Sequence, residues 1–148
     1  VMAEEGITQA TLGGRQHYLR WNTPTTAKLW DDNGLTYDST LSFADRPGFR
    51  CGTCHEYRMY DLAHRKPLNL LQRPLVTMEA SRYDGLEYKN KALEIMQRYK
   101  RICYQFGGNF TLLWHNSYFE NRDAKSMYRE IISGSETSEQ FHASLYVQ

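Results

Sequence analysis

Apolar residues recur at helical spacing in three stretches of this chain. From position 86 to 103, Leu86, Leu93, Met96, Tyr99 and Cys103 fall on one broad face, while Lys89, Glu94, Arg98 and Arg101 can face water, which predicts an amphipathic helix. Near 122 to 132, Ala124, Met127, Tyr128 and Ile131 repeat the pattern and Gly134 supplies a stop. The third helix is shorter. Thr23-Pro24 reads as an N-cap followed by proline at the first helical position, Ala27, Leu29 and Trp30 supply apolar contacts, and Asn33-Gly34 ends it. Between these lie compact apolar runs that read as strands: Leu35-Thr36-Tyr37, Pro74 to Met78, and Phe110 to Trp114. Tyr18, Leu19 and Trp21 suit a further short strand, with Gly13-Gly14 allowing a close approach before it. From Leu41 to Leu71 the pattern is irregular and interrupted by Pro47, Gly48, Gly52 and Pro67, which predicts a long ordered loop carrying short strand pieces. The tail from Ser135 is polar, with a small apolar group near Leu145 to Val147.

Helix and strand alternate, so the expected fold class is α/β, with parallel strands and covering helices. No repeat or linker divides the chain, and residues 1 to 148 read as one domain. Asp38, Glu79 and His115 each follow an apparent strand. In a parallel sheet or barrel those carboxyl ends lie on one side, where ligands usually bind. The alternative reading is that Asp38 and Glu79 cap turns and His115 makes a structural hydrogen bond.

Composition narrows the classes of function. A hydrophobic fraction of 41% is enough to close a core at this length, and an aromatic fraction of 14% often accompanies surfaces that face sugars, partners or a core. The net charge of +1 provides no long-range field, which disfavours nucleic acid and anionic membrane as partners. No apolar run is long enough to span a bilayer, and Glu4 and Glu5 stand where a signal peptide would be basic. Three cysteines, at 51, 54 and 103, leave at least one unpaired in a monomer, which points to a reducing, cytoplasmic compartment.

Cys51-Gly52-Thr53-Cys54-His55 has the spacing of covalent haem attachment. It lies in an arginine-rich, turn-rich loop, and no helix start follows to support a thioredoxin-like pair. Structural cysteines in an ordered loop are the favoured reading, with metal binding by Cys51, Cys54, His55 or Cys103 a weaker one. None of His17, His55, His64, His115 and His142 forms a spaced ligand pair. His-Glu-x-x-His, Gly-x-Ser-x-Gly and phosphate-loop patterns are missing as well.

Five segments, in order, resemble the later part of the polysaccharide deacetylase family, carbohydrate esterase family four, in its divergent branch linked to bacterial surface polysaccharide. They are Gly14 to Trp21, Gly34 to Leu41, Gly48 to Thr53, Pro74 to Glu79, and Leu113-Trp114-His115-Asn116. The resemblance implies a partial or distorted (β/α) barrel and a metal-dependent hydrolase that removes N-acetyl groups from a polysaccharide. By the same resemblance His115 is the general acid for the leaving amine. Arg15 orients the catalytic aspartate, with Arg20 a rival, and Asp38 tunes the histidine, with Asp45 a rival. Trp21, Glu79 and Trp114 are then substrate-facing residues. The family's early aspartate-rich motif and paired metal-binding histidines are not recognisable, so the chain resembles the C-terminal part of such a domain. Zinc or another divalent metal would require ligands from a missing N-terminal segment or a second copy. The alternative to an incomplete enzyme is a noncatalytic carbohydrate-binding or assembly domain using Trp21 and Trp114 as sugar platforms.

Overall fold

The computed structural model describes residues 4–6, 8–79 and 86–133. The expectations for Gly134, His142, the tail from Ser135, and the side chains of Leu86 and Lys89 lie outside the described residues. The chain is mixed α/β, with three α-helices and a mixed, largely parallel four-stranded sheet among the described residues. It packs as two compact units. One runs to Leu41 and takes in Glu56–Arg73; the other takes in Ser42–His55 and continues from Pro74.

In the first unit, β1 (Gly13–Gly14) is made of glycine because the neighbouring strand lies directly on it: a Cβ on Gly13 would stand 2.3 Å from the Tyr37 carbonyl oxygen. Helix α1 (Thr25–Asp32) then crosses to β2 (Tyr37–Asp38), which pairs with β1 in parallel. The helix ends where Asn33-Gly34 predicted. Gly34 adopts φ 74°, its N–H donates to Asp31 O, and the Leu35 N–H donates to Trp30 O, so two orphan carbonyls are satisfied in a Schellman motif. Its start differs from expectation. Pro24 is the cap residue and makes no side-chain cap bond; instead the Thr26 N–H donates to Asn22 O and the Thr26 hydroxyl accepts the Asn22 N–H. Leu29 is exposed, whereas Ala27 packs with Leu68 and Leu70 beneath Trp21, Trp30, Leu35 and Met59.

Within the expected long loop the structure places β3 (Tyr57–Asp61) and β4 (Lys66–Gln72), an antiparallel hairpin containing the longest strands among the described residues. The sheet order is β1-β2-β4-β3. Two features hid the hairpin. Pro67 cannot donate to a ladder, though it lies outside the part of β4 that pairs with β2. Between the pairs Arg58↔Leu71 and Tyr60↔Pro67, β4 advances four residues against two of β3, which breaks the alternation. The carboxylate of Asp31, on α1, accepts the N–H groups of Asn69 at 2.8 Å and Leu70 at 3.0 Å within that bulge. The strand expected at Tyr18 to Trp21 is instead a 3₁₀ turn at His17–Leu19, closed by local bonds from Leu19 N to Gln16 O and Arg20 N to His17 O.

In the second unit, β5 (Thr77–Met78), α2 (Leu86–Gln105), β6 (Leu112–Leu113) and α3 (Arg122–Ser133) follow in order, and β5 pairs with β6 in parallel. Both strands are shorter than their apolar runs. Ala92 and Met96 of α2 pack with Leu112, Trp114, and Met127 and Ile131 of α3; the helical spacing predicts Met96, Met127 and Ile131 there, and Ala92 joins them. Gly107-Gly108 ends α2 in a second Schellman motif, with Gly108 N donating to Cys103 O and Gly107 N to Tyr104 O. Asn121 caps α3, its side-chain oxygen accepting the N–H groups of Asp123 and Ala124. The irregular segment Ser42–His55 is ordered by bonds from Gly48 N to Val76 O, Asn109 N to Cys54 O and Arg50 Nη1 to Ser42 O.

Candidate functional site

The register of β5 on β6 sets Met78 beside Leu113, so Glu79 stands opposite Trp114, and His115 follows one residue beyond it where the two strands end. Glu79 N donates to Leu113 O, and Nδ1 of His115 donates to Glu79 Oε1, the direction that a carboxylate acceptor requires. The two side chains differ sharply in environment. The Glu79 side chain is fully buried, while that of His115 is 53% exposed. A buried carboxylate therefore fixes the tautomer and aim of a solvent-facing imidazole, leaving Nε2 for exchange of a proton with whatever approaches. Glu79 Oε2, Thr77 Oγ1 and Trp114 Nε1 are buried with no hydrogen-bond partner among the described residues. By register, Thr77, Glu79, Leu112 and Trp114 share one face of the ladder.

Arg15 and Asp38 come together in the first unit. Arg15 Nε donates to Ser39 O at 2.7 Å and Nη2 to Ser39 Oγ at 3.1 Å. Fully buried Asp38 accepts the Thr40 N–H at 2.8 Å and the Thr40 hydroxyl at 2.5 Å, and that hydroxyl accepts the N–H of Gln16. Burial pushes the Asp38 carboxyl above its usual range, opposed by hydrogen bonds from Thr40 and Gln72 and by the charge of Arg15. This is the geometry of a carboxylate that holds the exit of β2, the turn-capping alternative. Its rival Asp45 is exposed and paired with Arg46.

Trp21 is half-buried and lines an open cleft with Trp30. Trp114 departs from the sugar-facing role: it is 1% exposed, its ring packed against Tyr118, Phe119 and Tyr128. An apolar run that reads as a strand end does not reveal which face the helices cover. The pairing of Glu79 with His115 was likewise missed, because partners 36 residues apart leave no local spacing signal.

None of the three cysteines is in a disulfide. Cys54 and Cys103 are buried together with Val76, and burial, reinforced by Cys54, pushes the Cys103 thiol far above its usual range. This pair is core, as the structural reading expects. Among the described residues, no three His, Cys, Asp or Glu side chains group so that they could hold a metal ion. The zinc implied by the resemblance therefore finds no site among them. No described helix is long and apolar enough to cross a membrane. No protein-family model matches the chain, and neither a curated protein nor a solved structure matches it.

Proposed function

We propose that Glu79 and His115 form the proton-transfer pair of a hydrolase acting on N-acetylated sugars of a polysaccharide, in a deacetylase-like domain. The observation that carries this reading is the buried carboxylate bonded to Nδ1 of an exposed imidazole at adjacent strand ends. Once His115 is doubly protonated, Nδ1–H stays on Glu79 and Nε2–H goes to the amide nitrogen as its bond to the acetyl carbon breaks. Water supplies the hydroxyl, and acetate and a free amine leave. Proton donation avoids expelling an amide anion. Glu79 is thereby a positioning residue and not a substrate contact. The water-activating base and any metal ligands come from outside the described residues, from another segment or a second copy. A distorted (β/α) barrel, and work in a reducing compartment such as the cytoplasm, belong to the same proposal.

The test is acetate release from N-acetylglucosamine oligomers by the full chain with added zinc. His115→Asn is expected to lower kcat by about 10²–10⁴. Glu79→Ala should fall with it, and Glu79→Gln, which keeps an acceptor for Nδ1–H, should restore part of the rate. Unchanged turnover in His115→Asn would remove the assignment, and no turnover by the unaltered chain would remove the hydrolase reading.

A further inference from the structure

The first unit holds an open cleft of about 300 Å3, walled by Trp21, Trp30 and Leu29 and bordered by the polar side chains of Gln16, Arg20, Asn22 and Thr26. Its volume lies at the small end of small-molecule sites, about 300–1,000 Å3. The Nε1–H of Trp21 is taken by the Thr23 hydroxyl at 3.1 Å, so that indole is held in place and presents carbon faces. The polar groups are in the opposite condition. Among the described residues, the side-chain amides of Gln16 and Asn22 have no hydrogen-bond partner, and the guanidinium of Arg20 has only the Tyr18 ring, 5.8 Å away. Gln16 and Arg20 are brought to the same cleft by a turn in which Tyr18 (φ 58°) and Leu19 (φ 51°) both take the left-handed conformation. Two adjacent non-glycine residues rarely do so, because Cβ crowds the backbone, and such strain concentrates where a loop must present particular side chains.

Fixed indole faces, planar amides and a guanidinium suit a flat ring that is apolar on its faces and hydroxylated at its edge. We infer that this cleft binds a pyranose unit of a polysaccharide, and that it prefers acidic sugars to neutral ones and neutral ones to amino sugars. The preference follows from the lining: Arg20 is its charged residue and no carboxylate borders it, so a sugar carboxylate gains a charge-assisted bond and an ammonium meets repulsion. The cleft lies wholly in the first unit, and its assignment does not require turnover at His115.

The experiment titrates the full chain with tetramers of galacturonate, glucose and glucosamine, followed by tryptophan fluorescence and calorimetry. Galacturonate should bind tightest and glucosamine weakest. Arg20→Gln should weaken galacturonate by roughly tenfold to a hundredfold and erase its advantage over glucose. Gln16→Ala with Asn22→Ala should weaken all three; these side chains lie outside the apolar cluster that Trp21 and Trp30 pack against, so folding is kept. His115→Asn should leave binding unchanged. The proposal is overturned if none of the three tetramers binds saturably, if the cleft variants bind as the parent does, or if adenosine monophosphate binds more tightly than any sugar. Sugar binding without acetate release would retain the cleft and remove the hydrolase, and acetate release with KM unaffected in the cleft variants would do the reverse.

Discussion

Each unit of this protein contains a buried carboxylate bonded to Nδ1 of an exposed histidine. In the first unit Asp61 Oδ2 holds His64 at 2.6 Å, with the Asp61 side chain 2% exposed and that of His64 59% exposed. In the second, Glu79 holds His115 with nearly the same exposures. What separates them is the remaining oxygen. Asp61 Oδ1 accepts the N–H groups of Ala63 and His64 and closes the β3–β4 turn, whose last residue, Arg65, takes φ 52°. Glu79 Oε2 closes no turn and has no hydrogen-bond partner among the described residues. A histidine–carboxylate pair inside a turn is a by-product of capping the chain. The same pair made between two strand ends fixes an aim for the imidazole that no local bond requires, and this is what supports the proposal for the second pair.

The largest effect that could break this contrast is catalytic. His64→Asn should leave acetate release within about twofold, against the 10²–10⁴ expected for His115→Asn; equal losses in one assay would abolish the distinction. Next comes the core beneath the second pair. Trp114→Ala should cost about 3–5 kcal/mol of unfolding free energy, read from denaturant midpoints, whereas a smaller loss would mean that the indole is less committed to the core than its burial indicates. Replacing Asp61 by Ala removes the acceptor of two turn N–H groups and should visibly lower the same midpoint.

The pH dependence of stability should separate two carboxylates of the first unit by sign. Asp61 is held below its usual value of 3.8, first by the backbone hydrogen bond from His64. Its folded state binds fewer protons than its unfolded state, so its contribution is present above the unfolded value and lost as pH falls through the folded one. Asp38 is held above 3.8 by burial. Its contribution is complete below the unfolded value and declines as pH rises through the folded one. Asp61→Asn should therefore flatten the acid limb of the stability curve, while Asp38→Asn should gain on the parent as pH rises. The same slope in both variants would contradict these environments. The smallest change is expected for Glu79→Gln, whose stability should stay within about 1 kcal/mol of the parent, because the acceptor for Nδ1–H is kept and no turn depends on the other oxygen.

The elements that could be read along the chain are those whose causes are local. Asn33-Gly34 ends α1 because the left-handed conformation that closes a Schellman motif is open to glycine without strain, and Gly34 takes it. Met96 with Cys103, and Met127 with Ile131, are buried because helical periodicity alone places them on one face. Three strand ends at Asp38, Glu79 and His115 were legible in the same way. The β3–β4 hairpin was not, since its bulge is stabilised by Asp31 from a helix 38 residues earlier. Nor could the sequence tell Trp21 from Trp114, because the side that α2 and α3 cover is settled by packing. Asp38 and Asp61 close turns through neighbours two or three residues away, whereas the role of Glu79 in aiming a histidine depends on a contact between segments 36 residues apart. Only the tertiary structure decides such distant contacts, since hydrogen bonds and burial act through space while sequence periodicity reports a few neighbouring residues at a time.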